Sequence, residues 1–368
     1  MSLANKLFSA LSKSEMSHLS QAKSAMAARF LGGRTGVIGM SRAFRAETAA
    51  VKTYNVVGVG IDEKYVDGVS TGIIAVKFLV RSKLPLTAVS KKAKLPQSVD
   101  GIPTDVEEVG LIIPLARKAA AKALSAAASA MPNPQTKIRP AQPGSSVGFR
   151  EPNDAFIMAG TLGAVVKDSQ GDTFVLSNNH VLAFENGVEA DGTRREALSP
   201  GAPIFQPGLL DHGNPLTDKI AELTRWVDLR ADRDDNLVDG AIAKLASASL
   251  ASRGILFIGA PTGTTAAARD MIVHKFGRTT SYRAGRISSV LFDVTIPYEV
   301  GDVMFIDQIA IRGLNGRRFS DAGDSGSAIL ERSTNRVVGL LFAGATNGNL
   351  TFGNHISDVL TQLNVRLA

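Results

Sequence analysis

Short apolar runs alternate with glycine-rich and polar turns through the carboxyl-terminal part of the chain. Residues 160–166, 174–177, 238–245 and 337–343 are examples, each rich in valine, isoleucine, leucine, alanine or phenylalanine. Runs of this length between turn signals are typical of β-strands. Only residues 356–363, near the end, have a helical pattern of convincing length. The pattern predicts a mainly β fold, a barrel or sandwich with a C-terminal helix.

The first 50 residues have a different pattern. Leu3, Leu7 and Leu11, and later Met26 and Phe30, follow helical spacing in a basic segment rich in serine and alanine. The pattern predicts a helical N-terminal extension over residues 1–50. Its composition fits a transit peptide or a membrane-surface helix, but the favoured interpretation is an extension that packs against another subunit or is partly mobile. No apolar stretch is long enough to span a membrane.

Two further segments precede the β-rich region. Residues 51–113 contain β-rich runs and one short polar segment, which predicts a small α+β domain. Its glycines at 58 and 60 lack the third glycine and the helix of a dinucleotide site. Residues 114–150 read as an alanine-rich helix followed by a Pro/Gly/Ser linker. The main domain is then expected over residues 151–368.

The net charge of +7 is concentrated outside the expected main domain. Residues 1–45 and 117–150 together hold 13 of the 41 basic residues and one of the 34 acidic residues. The rest of the chain therefore holds 28 basic and 33 acidic residues. A folded body with this slightly acidic balance gives no support for nucleic-acid binding.

The chain has no cysteine, which excludes disulfides, a thiol nucleophile and thiolate-bound zinc. This composition fits a reducing compartment, and a cytoplasmic location is predicted. His212 and His274 have no partners at metal-ligand spacing. No metal or other cofactor is expected.

Three local sequences in the β-rich region carry candidate chemistry. His180 follows the apolar run 174–177, and Asp239 stands at the start of the run 238–245. Ser325 lies in the turn Gly323-Asp324-Ser325-Gly326-Ser327, before another apolar run. Each feature alone is more often structural, but histidine, aspartate and serine follow one another in the order of a chymotrypsin-type triad.

These residue types fit acyl transfer. A serine hydroxyl is a weak nucleophile, so it needs a base such as the imidazole of His180 to take its proton. A buried carboxylate, here Asp239, fixes the tautomer of the imidazole and stabilises its charged form. The N–H groups of Gly323 and Ser325 are the candidates for an oxyanion hole.

A rival acyl-transfer architecture is excluded by the same residues. The turn at Ser325 does not complete the G-x-S-x-G pattern of the α/β-hydrolase elbow. That fold also needs a helix after the serine and the order serine, acid, histidine. Here a β-rich run follows, and no aspartate lies between Ser325 and His355.

The residues around His180, Asp239 and Ser325, with the later run 338–344, resemble trypsin-like serine peptidases. More specifically, the chain resembles bacterial relatives of the plant narrow-leaf protein family over residues 54–368. The further marks of this resemblance are the runs 57–60, 102–110, 139–144, 206–211 and 275–280. The resemblance implies a double β-barrel, and a catalytic triad formed by His180, Asp239 and Ser325.

The sequence departs from the family pattern at two points. Phe319 stands where trypsin has the carboxylate at the base of its specificity pocket, so cleavage after arginine or lysine is not implied. A pocket formed by Phe319, Phe342, Ala343 and Gly344 is expected to accept a neutral side chain.

The second departure concerns Asp324. In relatives that are activated by cleavage, the equivalent acid pairs with a newly released amino terminus, and the intact chain has no such amine here. Another donor, or a cut in the linker between residues 131 and 149, is expected instead.

The function predicted from the sequence is that of a serine endopeptidase acting on protein or peptide substrates. The alternative is a catalytically silent scaffold or peptide-binding protein that keeps the protease fold and works through oligomerisation. The amphipathic start and the alanine-rich segment are candidate surfaces for a homo-oligomer.

Overall fold

The computed structural model describes residues 6, 8–32, 55–67, 69–115, 117–118, 131–150, 158–187 and 198–368. Strands dominate this part of the chain, and the predicted mainly β fold with a C-terminal helix is confirmed. The strands in chain order are β1 (Val56–Val66), β2 (Val69–Val80), β3 (Ser98–Val99), β4 (Ile102–Glu108), β5 (Ile112–Pro114), β6 (Arg117–Lys118), β7 (Ser146–Phe149), β8 (Met158–Thr161), β9 (Ala164–Lys167), β10 (Thr173–Ser177), β11 (Pro203–Phe205), β12 (Lys219–Trp226), β13 (Ala241–Leu245), β14 (Ile272–Gly277), β15 (Ser281–Tyr298), β16 (Gly301–Gly313), β17 (Ala328–Glu331), β18 (Val337–Ala345), β19 (Thr351–His355) and β20 (Arg366–Leu367).

Helices are few among the described residues. They are α1 (Lys13–Phe30), the single turn α2 (Asn179–Leu182), the irregular turn α3 (Phe184–Gly187) and α4 (Ile356–Gln362). Short 3₁₀ turns occur at Phe8–Ala10, Lys91–Ala93, Leu209–Asp211 and Ala248–Leu250. No helix in the described residues is both long and apolar enough to cross a membrane.

The strands form two sheets. Sheet I has nine strands in the order β20-β9-β10-β13-β12-β11-β7-β8-β6. Sheet II has eleven strands, and six of them close into a barrel in the order β14-β17-β18-β19-β16-β15, because β15 also pairs with β14. Each sheet has its own buried cluster of aliphatic and aromatic side chains. Two β-structures packed side by side match the expected double-barrel arrangement.

The strands of the predicted α+β domain do not form a sheet of their own. β1 pairs antiparallel with β15, so β1, β2, β4 and β3 extend sheet II beyond its barrel. Gly60 of β1 lies opposite Phe292 of β15. The four strands and the barrel therefore share one hydrogen-bonded framework, and the domain boundary near residue 113 stays a prediction.

Helix α1 packs on this extension of sheet II. Ser12 caps the helix in a capping box with Glu15, which satisfies free N–H groups at its start. Leu19, Ala22 and Ala27 are buried in one cluster with the side chains of β1 and β2. The apolar face of the predicted extension is thus covered by its own chain over the described helix.

The segment predicted as an exposed linker is largely built into sheet I. Ser146–Phe149 forms β7, and Ala141, Ser145 and Val147 have no exposed surface. The expectation of an exposed, easily cut segment is therefore wrong for residues 141–149. The predicted alanine-rich helix lies mostly in residues 119–130, outside the described residues, although Arg117–Lys118 is strand.

Candidate active site

His180 follows the carboxyl-terminal end of β10, an interior strand of sheet I. Strand β10 ends at Ser177, and the single helical turn α2 places His180 directly after it, with 1% of the residue exposed. The side-chain amide of Asn178 donates a hydrogen bond to the backbone carbonyl of Asp239 at 2.7 Å. This bond ties the end of β10 to the residue that precedes β13, so both elements hold the site.

Asp239 is completely buried and accepts three hydrogen bonds on its side chain. Its Oδ2 contacts Nδ1 of His180 and accepts from the Tyr298 hydroxyl at 2.8 Å. Its Oδ1 accepts from the backbone N–H of His180 at 3.2 Å. A buried carboxylate needs such donors to remain charged, and these donors also fix the orientation of the imidazole.

Tyr298 joins the site from sheet II, at the end of β15. It is fully buried, and burial together with the neighbouring Asp239 raises its pKa well above the ordinary value. The phenol therefore stays neutral and remains a hydrogen-bond donor over the whole neutral and moderately alkaline range. No feature of the sequence pointed to this residue.

Ser325 lies in a tight turn before β17, on the sheet II side of the site. Gly323 has a φ of +103°, which a residue with a Cβ rarely adopts. The Ser325 hydroxyl donates to the carbonyl of Phe342 at 3.0 Å. Within the described residues, Nε2 of His180 is buried and has no hydrogen-bond partner. The structure thus records the serine turned toward β18 and the acceptor nitrogen of the histidine left unpaired.

The two backbone N–H groups predicted as an oxyanion hole converge on one oxygen. The N–H of Gly323 donates to the carbonyl of Leu115 at 2.5 Å, and that of Ser325 is 3.4 Å from the same oxygen. In acyl transfer the oxyanion is stabilised by this kind of arrangement, in which two N–H donors point at one carbonyl oxygen beside a serine. The group that occupies this position belongs to the protein itself.

Asp324 is fully buried, and its partner is Lys275. Lys275 Nζ lies 2.9 Å from its carboxylate, and the N–H groups of Thr279 and Thr280 donate to it at 3.0 and 3.1 Å. Burial alone would raise the pKa of Asp324, but Lys275 and the Thr280 hydroxyl hold this pKa below the ordinary value. The ion pair between Lys275 and Asp324 therefore holds the turn at Ser325, and no new amino terminus is needed as a partner for Asp324.

From the sequence alone, the basic run 275–280 with Arg283 predicts a solvated strand edge, with an anion-binding site as the alternative. Both are wrong for its main cations, because Lys275 is 0% and Arg278 is 2% exposed. Arg278 instead forms an ion pair with Asp211 and donates its backbone N–H to Thr161. The anion that this run binds is the carboxylate of Asp324.

The four residues predicted to form the pocket have different positions. Phe319 is buried in one apolar cluster with the side chain of Leu115. Ala343 and Gly344 lie in β18 opposite Pro114 and Ile113 of β5. The ring of Phe342 packs instead against Phe305, at 4.8 Å between centroids, so Phe342 offers the site its backbone carbonyl.

In the part of the chain that the structure describes, no three histidine, aspartate or glutamate side chains are grouped to hold a metal ion. His274 contacts Asn335 and Tyr282 instead.

Comparison with solved structures returns bacterial serine proteases. Thermobifida fusca protease A has 18% identity, a TM-score of 0.41, and covers 62% of this chain and 97% of its own. Nocardiopsis protease has 15% identity, a TM-score of 0.40, and coverage of 61% and 97%. Cellulomonas bogoriensis chymotrypsin has 15% identity, a TM-score of 0.38, and coverage of 62% and 97%.

No protein-family model matches the chain, and neither does any curated protein. The resemblance to the plant narrow-leaf family therefore stays a prediction. The likeness to solved proteases is too distant for residue roles to be transferred. A function for this chain has to follow from the geometry of its own residues.

Proposed function

We propose that the protein is a serine endopeptidase, with Ser325 as nucleophile, His180 as general base and Asp239 as the residue that orients the base. The observation that carries the proposal is the convergence of the Gly323 and Ser325 N–H groups on one carbonyl oxygen. Two backbone N–H groups that meet on one carbonyl oxygen beside a buried serine have the arrangement of an oxyanion hole.

The proposed reaction begins when the Ser325 hydroxyl turns from Phe342 toward Nε2 of His180. The neutral imidazole takes the hydroxyl proton as the oxygen attacks the substrate carbonyl. Asp239 stabilises the imidazolium through Nδ1, and its own charge is held by the Tyr298 hydroxyl and the His180 N–H. The negative charge that develops on the carbonyl oxygen is met by the two N–H donors. Removing one such donor lowers the rate by about 10²–10³-fold in serine proteases.

The proposed substrates are proteins or peptides with an apolar side chain before the cut bond. The apolar cluster around Phe319 supports this preference, because it provides no charged group for an arginine or lysine. A charge in such a surrounding would lose its hydration without gaining a partner.

A fluorophosphonate probe tests the proposal directly. The wild-type protein is expected to be labelled on Ser325, and Ser325→Ala is expected to take up no label. Ser327→Ala, two residues along the same turn, serves as the matched control and should still be labelled. Absence of labelling both in the wild type and in Leu115→Asp would contradict the peptidase and favour the scaffold alternative.

Asp239→Asn gives a second test. The change keeps the size of the side chain but favours the wrong imidazole tautomer, so turnover should fall by about 10⁴-fold, as in proteases where this change has been made. Asp235→Asn, an exposed aspartate four residues earlier, is the control and should leave turnover unchanged. Turnover is measured with a peptide whose cleavage releases a fluorophore.

A further inference from the structure

Strand β5 lies along β18 as an added strand, directly before Leu115. Ile112–Pro114 pairs antiparallel with β18, so that Ile113 is opposite Gly344 and Pro114 is opposite Ala343. The N–H of Leu115 then donates to the carbonyl of Phe342 at 3.1 Å. In an antiparallel pair, hydrogen-bonded positions alternate, so Pro114 stands where no N–H is needed. An extended peptide added to a strand edge is a common way to bind a peptide substrate.

The carbonyl group of Leu115 lies at the reacting position. Its oxygen is the one that the Gly323 and Ser325 N–H groups approach, at 2.5 and 3.4 Å. The Ser325 hydroxyl and the N–H of Leu115 also donate to one shared acceptor, the carbonyl of Phe342, at 3.0 and 3.1 Å. Holding the reacting groups together in this way replaces a bimolecular encounter and supplies a large part of the rate.

The side chain of Leu115 occupies the apolar pocket. It is 6% exposed and belongs to one cluster with Phe319, Val338 and Leu341. Gly344 forms one side of its surroundings, since a Cβ at that position would stand 2.9 Å from Cδ1 of Leu115. The absence of a side chain at 344 therefore leaves room for the leucine.

On the other side of Leu115 the chain continues along sheet I. Arg117–Lys118 pairs antiparallel with β8, with Arg117 opposite Ala159. Strand β8 adjoins the nucleophile, because the N–H of Thr161 donates to the carbonyl of Ser325 at 2.7 Å. The segment thus pairs with sheet II at residues 112–114 and with sheet I at Arg117–Lys118, on either side of the Leu115 carbonyl.

Building on the proposed peptidase function, we propose that the protein cleaves its own chain at the peptide bond between Leu115 and Ala116. Residues 112–115 form the acyl side of this internal substrate. The preferred external substrates are accordingly peptides with leucine or a similar aliphatic residue before the cut, preceded by proline.

The chemistry of this cut is balanced by one water molecule. Ser325 Oγ bonds to the carbonyl carbon of Leu115 while its proton passes to Nε2 of His180. The bond to the nitrogen of Ala116 then breaks, and that nitrogen takes the proton from His180 as the new amine. Water next attacks the acyl-enzyme, gives a proton to His180, and releases the Leu115 carboxylate. The proton returns to Ser325.

The test uses the full-length protein, purified and incubated at neutral pH. Intact mass spectrometry and a denaturing gel are expected to show two chains, residues 1–115 and 116–368, the second starting Ala-Arg-Lys. Ser325→Ala is expected to remain one chain. The rate of cutting should not change with protein concentration, because the segment is held by its own molecule.

Leu115→Asp and Leu86→Asp form a matched pair. A carboxylate at 115 would be buried in the apolar pocket without a partner, so self-cleavage should fall by at least about 100-fold. Leu86 is 75% exposed, and the same change there should leave self-cleavage at the wild-type rate. Leu115→Met keeps an apolar side chain of similar volume and should still be cut.

The labelling result separates failure of this inference from failure of the peptidase. Leu115→Asp should release residues 112–115 from β18 and expose Ser325. The variant should therefore bind the fluorophosphonate on Ser325 while its chain stays intact. A wild-type chain that stays whole although Ser325 is labelled in Leu115→Asp would overturn self-cleavage and leave the peptidase standing. A cut at another bond, or the same cut in Ser325→Ala, would also overturn it. A protein that neither labels nor cuts would remove both proposals.

Discussion

Asp324 shows how a single residue supports the proposed site from beneath it. Its carboxylate is fully buried and is held by Lys275 and two threonine N–H groups. A buried pair of this kind does not by itself indicate high stability, because desolvation of both charges offsets much of their attraction. The pair affects position, since Asp324 lies between Gly323 and Ser325, whose N–H groups approach the Leu115 carbonyl.

We expect Lys275→Met to lower the free energy of unfolding by about 3–5 kcal/mol, because it leaves the buried carboxylate of Asp324 unpaired. The double variant Lys275→Met/Asp324→Asn removes both charges and should be more stable than the single variant. Thermal melting at pH 7 measures both effects. A double variant no more stable than Lys275→Met would contradict the pairing.

The same pair has a predictable pH dependence. The pKa of Asp324 is lower in the folded protein than its ordinary value of 3.8. The carboxylate therefore contributes stability above that ordinary value, and the contribution is lost as the pH falls through the lowered folded value. Melting temperatures measured from about pH 5 down to about pH 2 should consequently fall less steeply for Lys275→Met/Asp324→Asn than for the wild type. An unchanged slope would show that other carboxylates govern acid unfolding.

Tyr298 is expected to be a positioning residue, since it acts on the reaction through Asp239. Tyr298→Phe removes one of the donors to this buried carboxylate and should reduce kcat by about 10-fold, the effect of about 1.4 kcal/mol. KM should change little, because no substrate contact is lost. Tyr282→Phe removes the same hydroxyl from a tyrosine packed against His274 and is the control. Equal kinetics for the two variants would contradict the assignment.

At the scale of elements, α1 is fastened to sheet II by an ion pair inside an apolar contact. Lys23 is 1% exposed, and its Nζ lies 2.6 Å from both Asp293 and Asp307. The pKa of Asp293 is raised, mainly by burial, although Lys23 opposes the shift. The helix is therefore part of the folded body over the described residues, and the exposed assembly surface expected there is reduced.

Lys23→Ala should destabilise the protein by about 3–5 kcal/mol, because it leaves Asp293 without its cation. Lys13→Ala, at the exposed start of the same helix, is the control and should change stability by less than about 0.5 kcal/mol. Chemical denaturation of the two variants measures the difference. A loss no larger in Lys23→Ala than in Lys13→Ala would show that α1 does not depend on this pair.

At the scale of the whole molecule, the shared sheet determines what self-cleavage would do. Strand β1 pairs with β15, and α1 packs on β1 and β2, so residues before the cut remain bonded to the barrel of sheet II. Cutting one peptide bond removes none of these contacts. The two fragments should therefore stay together after the reaction.

Size-exclusion chromatography in native buffer should thus give one peak that contains both fragments, whereas a denaturing gel should resolve them. The uncut Ser325→Ala protein provides the reference elution volume. Two separate native peaks would show that the pairing of β1 with β15 does not hold the two fragments together. Light scattering of the same samples tests for a homo-oligomer, for which the amphipathic start and the alanine-rich segment are the candidate surfaces.

The sequence by itself determined the mainly β fold, because strand periodicity and turn residues are local properties. It also identified His180, Asp239 and the turn at Ser325, since the order of these residues along the chain is already informative. Lys275 was recognised as part of a motif but was assigned to solvent, because burial cannot be read from a short charged run. Here a lysine is buried only because a carboxylate from a distant turn meets it.

Only the tertiary structure decided that residues 112–115 lie along β18, with the Leu115 carbonyl at the N–H groups of Gly323 and Ser325. Nothing in the composition of Ile-Ile-Pro-Leu distinguishes it from other apolar runs of the chain. Its partners in β18 are more than 200 positions later, and pairing at such separation depends on the folded arrangement of both sheets. Local pattern thus predicted the strands and the candidate catalytic residues, and long-range pairing determined which segment lies against those candidates.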